Sequence, residues 1–293
     1  MCQMLAMNCN SSASINFSFA GFSARGGQTG EHADGWGIAF HERTGCRVFI
    51  DDGRASDSAL ADFVRSYPIK SKSVLAHIRK ATQGAVTLSN CHPFQREWLG
   101  QHWVFCHNGD LKNYHPNLRG NYLPVGTTDS EKAFCWMLQE LRSAFKGACP
   151  PSWKQVAPVL AELSRRIASH GTFNFLLSNG EAMYAHCSTK LSWVSRQHPF
   201  QTARLIDCDM TLDLRQANSE SDRMVLVATE PLTADEPWDS FAPGELKVFV
   251  EGAQVWSSTS LPPKPPKPAK PVKAARALPP KPVALHASLG APA

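Results

Sequence analysis

The sequence predicts an α+β domain in which two mixed or antiparallel β-sheets carry helices packed outside them. Three observations lead there. Short segments rich in β-branched and aromatic residues, each bounded by turn residues, dominate residues 2–256. Helical stripes are fewer. Strands and helices also come in runs, not in the strict βαβ alternation of a doubly wound parallel sheet.

Taken in chain order, "CQMLAM" (2–7) opens as a strand. "SASINFSFAGFSARGG" (12–27) reads as a helix, followed by strands "GWGIAFHE" (35–42) and "CRVFID" (46–51). A short helix "DSALADFVRS" (57–66) precedes strands "SVLAHIRK" (73–80) and "HWVFCHNG" (102–109). In "SEKAFCWMLQELRSAF" (130–145), Ala133, Phe134, Met137, Leu138 and Leu141 form one stripe, and Asp129 and Ser130 are placed to cap its start. "WKQVAPVLAELSRRIASHG" (153–171) is the next helix, with Gly171 read as the left-handed residue that ends it. A second strand series follows: "FNFLLSNG" (173–180), "AMYAHCS" (182–188), "LSWVSRQ" (191–197), "RMVLVATEP" (223–231), "LKVFVEG" (246–252) and "AQVWSS" (253–258). The Asn-Gly within "SNGEA" predicts a hairpin, since Asn-Gly readily takes the positive φ such turns require.

Composition supports a packed body with a distinct tail. Hydrophobic residues make up 43% of the 293 and charged residues 19%, so the bulk of the chain can bury a core. From Ser257 to Ala293 there is no Asp or Glu, but Lys264, Lys267, Lys270, Lys273, Arg276 and Lys281 are all basic. The body therefore carries 24 basic against 25 acidic residues, and the formal charge of +5 belongs to the tail. This gives no reason to expect a nucleic-acid-binding surface. Proline removes a donor and fixes φ, so 257–293 is expected to be a disordered, extended tail and 2–256 the folded domain. The nine cysteines are odd in number and contain no CxxC pair; without a signal peptide they read as reduced thiols in a cytoplasm. Zinc-type clustering is missing, no cofactor is called for, and no segment has the apolar length of a membrane span.

Five stretches look chemically loaded. Cys2 follows the initiator methionine, where alone it reads as an incidental thiol on a frayed terminus. Arg79, at the end of an apolar strand, is either a strand-end arginine turned to solvent or a bidentate clamp for a carboxylate. In "CHNGDL", Asn108-Gly109 is either a plain turn or an oxyanion hole formed by a side-chain amide and a backbone N–H. Asp129 of "GTTDSEK" is first an N-cap, and with its carboxylate turned into a pocket it would bind an ammonium. Arg79 and Asp129 together would grip both ends of an α-amino acid. The fifth stretch, "HADGWG" (32–37), precedes a strand.

Cys2, "AHIRKATQG", "NCHPF", "HNGDL" and "TTDSE", in this order and spacing, resemble class II glutamine amidotransferases of the stand-alone, single-domain type, members of the N-terminal nucleophile hydrolases. The resemblance implies a four-layer αββα sandwich of two mainly antiparallel sheets, and a mature chain that begins at Cys2. It implies Cys2 as nucleophile, Asn108 and Gly109 as oxyanion hole, Arg79 and Asp129 as partners of the substrate α-carboxylate and α-ammonium, Thr82 as support for the pocket and His92 as its lining. Three departures touch the lip of that pocket. Glu31-His32-Ala33-Asp34 stands where arginine-glycine-x-aspartate is frequent, Lys80 where tryptophan is frequent, and Gln83 where histidine is.

The implied activity is cleavage of the γ-amide of glutamine, or of another γ-glutamyl small molecule, through a Cys2 thioester. Two forms of it are expected: a glutaminase subunit serving a separate synthase, or an independent hydrolase, the latter slightly favoured because the body is followed by a Pro/Lys tail with no acceptor domain. The rival is a non-catalytic amino-acid-binding or scaffold module of the same fold. The five-residue set Cys2, Arg79, Asn108, Gly109 and Asp129 argues against that rival.

Overall fold

The computed structural model describes residues 2–259; the proline- and lysine-rich segment beyond, assigned above to the tail, lies outside them. The chain runs β1 (Gln3–Ser14), α1 (Asn16–Ala24), β2 (Trp36–Glu42), β3 (Gly45–Asp51), α2 (Ala59–Ser66), β4 (Lys70–Ile78), β5 (Phe94–Trp98) and β6 (Gln101–Leu111). It continues with α3 (Asp129–Ala144), α4 (Trp153–Ala168), β7 (Gly171–Ser178), β8 (Ala182–Cys187), β9 (Ser192–Gln197), β10 (Thr202–Arg204) and β11 (Thr211–Asp213). The short α5 (Leu214–Ala217), β12 (Arg223–Ala228), β13 (Asp239–Ser240), β14 (Glu245–Val250) and β15 (Ala253–Thr259) complete it.

A seven-stranded sheet has the order β13-β9-β12-β1-β4-β2-β3, and a six-stranded sheet the order β15-β14-β8-β7-β6-β5. Every strand pair in both is antiparallel. The period-two alternation of a strand sorts its side chains into two layers. On β1, Leu5, Met7 and Cys9 face a cluster with Phe19 and Phe22 of α1 and Val64 of α2. Met4 and Ala6 face the other way, meeting Val104, Cys106, Leu176 and Met183 of the second sheet. The outer side of that sheet packs Trp103, Phe105, Phe173 and Tyr184 against Phe134, Leu138, Leu160 and Leu163 of α3 and α4. Helices thus cover both outer faces, which is the expected αββα layering. Because each sheet is covered on both sides, β1 is buried without interruption from Gln3 to Cys9 and reads as a run, not an alternation.

Several boundaries differ from the sequence reading. The strand β1 takes residues up to Ser14 that had been assigned to a helix, because Ala13 and Ser14 pair with Ser71 and Lys70 beyond a bulge; α1 starts only at Asn16. Thr128, not Asp129 or Ser130, caps α3, its side chain accepting from the Glu131 N–H; Asp129 is the first helical residue. Gly171 does not end α4, whose cap is Ser169; with φ of 154° it opens β7, where a Cβ would strike the Asp110 carbonyl. The last strand runs past Trp256 to Thr259, because Ser257, Ser258 and Thr259 pair with Lys247, Leu246 and Glu245. The strand β5 was not anticipated, its polar Gln95, Arg96 and Glu97 concealing an edge position beside β6. No helix among the described residues is long and apolar enough to cross a membrane.

Candidate active site

Cys2 lies immediately ahead of β1, whose neighbours β12 and β4 set its position. The Met4 N–H donates to Thr229 Oγ1 at 2.9 Å and the Thr229 N–H donates to the Met4 carbonyl at 3.1 Å, so the strand is clamped two residues after the cysteine. The half-buried Cys2 thiol rests on the second residue of the loop after β4, with Sγ 3.3 Å from the Lys80 N–H nitrogen and 3.4 Å from its carbonyl. From the second sheet the Asn108 side-chain amide donates to the Cys2 carbonyl at 2.7 Å. Burial pushes the thiol above its ordinary pKa; the Lys80 N–H and Arg79 act against that rise, and Asp34 adds to it.

The register of β6 on β7 determines what Asn108 and Gly109 present. The Lys112 N–H donates to the His170 carbonyl, which makes Lys112–His170 a bonded pair of this antiparallel ladder. Bonded and non-bonded pairs alternate, so His107, Gly109 and Leu111 turn their N–H and carbonyl groups away from β7. Two of these groups have partners from elsewhere: His77 Nε2 donates to the His107 carbonyl at 3.0 Å, and the Leu111 N–H donates to Asp129 Oδ2 at 2.8 Å. The Gly109 N–H lies between these bonded positions, on the same edge. Glycine is dictated here by strand packing, since a Cβ would collide with the Thr172 carbonyl. Behind Asn108, the fully buried Asn174 donates to the Asn108 carbonyl at 2.9 Å and accepts from the Ser188 and Thr189 N–H groups.

Arg79 is not turned to solvent: it is 3% exposed. Its guanidinium donates to the carbonyls of Gln83, Gly84 and Ala85 at 3.0, 3.2 and 3.0 Å, and more distantly to that of Asp34 at 3.4 Å. It therefore shapes the loop that follows it. Asp34 braces the same loop by accepting from the Ala81 N–H at 2.7 Å. Asn90 ties it to the segment before α3, donating to the Ala85 carbonyl and accepting from the Thr127 N–H at 2.8 Å. Glu131 holds that segment in turn, accepting from Arg96 at 2.5 Å and from the Val125 and Gly126 N–H groups.

The other expected site residues divide. Asp129 is buried at the head of α3, where its carboxylate accepts from the Leu111 and Ser130 N–H groups. With about four acceptor positions on an ionised carboxylate, it keeps capacity for another donor. His92 is buried, its ring packed at a tilt against His77 at 4.2 Å and Phe94 at 4.4 Å, with neither ring nitrogen bonded to a described residue. Its burial holds it neutral, well below the ordinary imidazole range. Thr82 is exposed on the loop and its hydroxyl bonds to no described residue, so the structure does not join it to the others. At the three positions that depart from the family pattern, new pairs form. Lys80 Nζ meets Glu31 Oε2 at 2.6 Å, and the Gln83 amide donates to Asp110. No group of histidine, cysteine and carboxylate side chains among the described residues is arranged to hold a metal.

Sequence reasoning missed Asn90, Glu131, Asn174 and His77. The signal for Asn174 and His77 was a polar residue inside an apolar strand, in "FNFLLS" and "SVLAHI". Such a residue is buried and must find a partner.

Comparison with known proteins bears on the family and the fold of this chain. A family model described as "Glutamine amidotransferases class-II" matches residues 1–272. The chain belongs to the class II glutamine amidotransferases. Among its relatives in this family, the Escherichia coli (strain K12) protein named "Putative glutamine amidotransferase YafJ" is 45% identical over 255 residues, 87% of this chain and 100% of that one. A Haemophilus influenzae relative named "Putative glutamine amidotransferase" is 47% identical over 256 residues, covering 87% of this chain and 86% of its own. A crystal structure described as a "predicted glutamine amidotransferase from Pseudomonas aeruginosa PA01" superposes with a TM-score of 0.68 at 38% identity, over 87% of this chain and 99% of that one. The glutamine phosphoribosylpyrophosphate amidotransferase of B. subtilis shares the fold at 13% identity, with a TM-score of 0.53 over 88% of this amidotransferase and 49% of that chain.

Proposed function

We propose that this amidotransferase cleaves the γ-amide of glutamine, or of another γ-glutamyl small molecule, through a thioester on Cys2. The observation that carries the proposal is the 2.7 Å hydrogen bond from the Asn108 amide to the Cys2 carbonyl, which brings a side-chain donor of one sheet to the residue that bears the thiol on the other.

In this reading removal of Met1 frees the Cys2 α-amino group. With an ordinary pKa of about 8 for that amine and about 8.5 for a thiol, one residue supplies both nucleophile and base. The amine takes the thiol proton, directly or through one water, and Sγ attacks the amide carbon. The oxyanion is stabilised by Asn108 Nδ2, released from the Cys2 carbonyl, and by the outward Gly109 N–H. The proton passes to the leaving nitrogen, ammonia departs, and water hydrolyses the thioester to free the γ-carboxylate and the thiol. Arg79 binds the α-carboxylate and Asp129 the α-ammonium; His92 closes the wall behind them. Supporting Arg79 in this role is its buried guanidinium, which faces carbonyls and no carboxylate among the described residues. A substrate carboxylate would supply the missing counter-charge.

The test incubates protein of verified intact mass, beginning at Cys2, with glutamine and a panel of γ-glutamyl amides, and follows glutamate release. Release from at least one of them, abolished by Cys2→Ala and by retention of Met1 or an N-terminal tag, is expected. Release from none, with Cys2 free, would overturn the proposal. Glutamate release from glutamine alone points to a subunit serving a synthase; preference for another γ-glutamyl amide points to an independent hydrolase.

A further inference from the structure

His77 is the next-to-last residue of β4, fully buried, between Met4 of β1 and Gly37 of β2. With Leu75 it faces the second sheet, and its Nε2 crosses the sandwich to the His107 carbonyl at 3.0 Å. That carbonyl has no strand neighbour to bond. It points away from β7, and β5 on the other side pairs no further than Phe94 with Phe105. His77 therefore satisfies an edge carbonyl that would otherwise be buried and unpaired, a state that costs about 1–3 kcal/mol. The bonded carbonyl belongs to the peptide that carries the Asn108 nitrogen.

We propose that His77 is a positioning residue: its Nε2–H, donated across the sheet interface, fixes the His107–Asn108 peptide and thereby aims the Asn108 amide at Cys2. The inference rests on the assignment of Asn108 to the oxyanion hole. A carbonyl only accepts, so the proton must sit on Nε2, and Nδ1, buried without a partner, is left bare. Burial lowers the His77 pKa to about 3, and His107, Arg79 and His32 press in the same direction, while the bond to the His107 carbonyl opposes them only in part. The ring is thus a neutral donor throughout the working pH range, not a proton shuttle. Its surroundings are built for that single orientation. The His92 ring lies over it at 4.2 Å, and the His92 backbone reaches that place because residue 37 is glycine; a Cβ there would strike the His92 carbonyl.

Two measurements on the full chain test this. Long-range proton–nitrogen spectra of 15N-histidine-labelled protein, with the His77 signals identified by their loss in His77→Gln, should show a neutral ring protonated at Nε2 and unchanged from pH 8 to pH 5. A ring protonated at Nδ1, or one that titrates in this range, overturns the cross-sheet bond. In glutamate release, His77→Leu should lower kcat about 10–100-fold with KM within about threefold, the scale expected when a reacting group is misplaced. His77→Gln, which puts an amide N–H where Nε2 stands, should recover kcat to within about fivefold. Unchanged kcat in His77→Leu, or a folded His77→Gln that loses as much as His77→Leu, overturns the positioning role. If His77→Leu does not fold, the spectra and His77→Gln still decide. Wild-type protein that releases no glutamate refutes the hydrolase reading instead, and the tautomer measurement stands apart from that result.

Discussion

Three buried arginines in the first sheet and its borders are held in two opposite ways. Arg196 on β9 is 6% exposed and meets Glu236 in a two-pronged pair, Nε to Oε1 at 2.7 Å and Nη2 to Oε2 at 2.6 Å, with Thr233 also donating to the carboxylate. Arg25, equally buried, has Asp207 at 2.7 Å. Arg79 is buried more deeply than either, yet its partners are backbone carbonyls, and no carboxylate lies within ion-pair distance among the described residues. A desolvated guanidinium is costly without a counter-ion. The Arg196 region is thus electrically complete, and the Arg79 region holds a positive charge that an arriving carboxylate would balance. This difference is what the proposed carboxylate clamp at Arg79 rests on.

The largest effect expected from this contrast is on stability at the complete site. Arg196→Met leaves Glu236 buried without its cation and should cost about 3–5 kcal/mol in denaturant unfolding. Activity per folded molecule should be unchanged, and Arg196→Met with Glu236→Leu should recover most of the loss. A single variant as stable as wild type would break the comparison from the structural side. Next, Asn108→Ala should lower kcat several hundred-fold, about 3 kcal/mol of transition-state stabilisation, with little change in melting temperature; near-normal turnover would remove Asn108 from the oxyanion role. Arg79→Lys keeps the charge and loses the planar fork. It should lower kcat/KM for glutamate release roughly 10–100-fold, chiefly through KM, the scale of a lost hydrogen bond to a charged group. An equal loss for substrates lacking the α-carboxylate would count against the clamp.

A smaller effect concerns pH. Burial lowers His41 and His186 to about 4 and His77 to about 3. Between about pH 6.5 and these values the unfolded chain binds more protons than the folded one, so stability rises with pH there and falls on acidification. Each such histidine adds up to ~1.4 kcal/mol per pH unit to that loss. Urea midpoints should therefore drop from pH 7 to pH 5 and recover partly in a variant that replaces His41 by an apolar residue. The smallest effect is expected at the lip. The Lys80–Glu31 pair is exposed, and burial does not protect it from solvent. Glu31→Gln should change kcat/KM by less than about threefold and stability hardly at all. A larger loss would mean that the loop needs this strap to close.

Much of the fold was legible because its signals are local. The stripe Ala133, Phe134, Met137, Leu138 and Leu141 produced α3 to within a residue, and all five side chains are fully buried. The Asn179-Gly180 hairpin does join β7 to β8, although only Gly180 of the two takes a positive φ. Ser12 to Ser14 were misread because such small residues suit helix and strand alike, and pairing with β4 decided the matter. Gly171 was misread because positive φ serves a strand start beside the Asp110 carbonyl as well as a helix end.

The candidate site divides along the same line. The ordered motifs alone marked Cys2, Arg79, Asn108, Gly109 and Asp129. Sequence could not say that Arg79 would fold back onto its own loop, that Thr82 would stand exposed, or that His77 would bond a carbonyl thirty positions away. Alternation, caps and turns depend on neighbours within a few residues, so the chain itself determined them. Which polar groups meet depends on strand register and on how two sheets stack, and only the tertiary structure decides that. A one-residue slip of β6 on β7 would turn Gly109 inward and leave His77 facing an N–H or nothing.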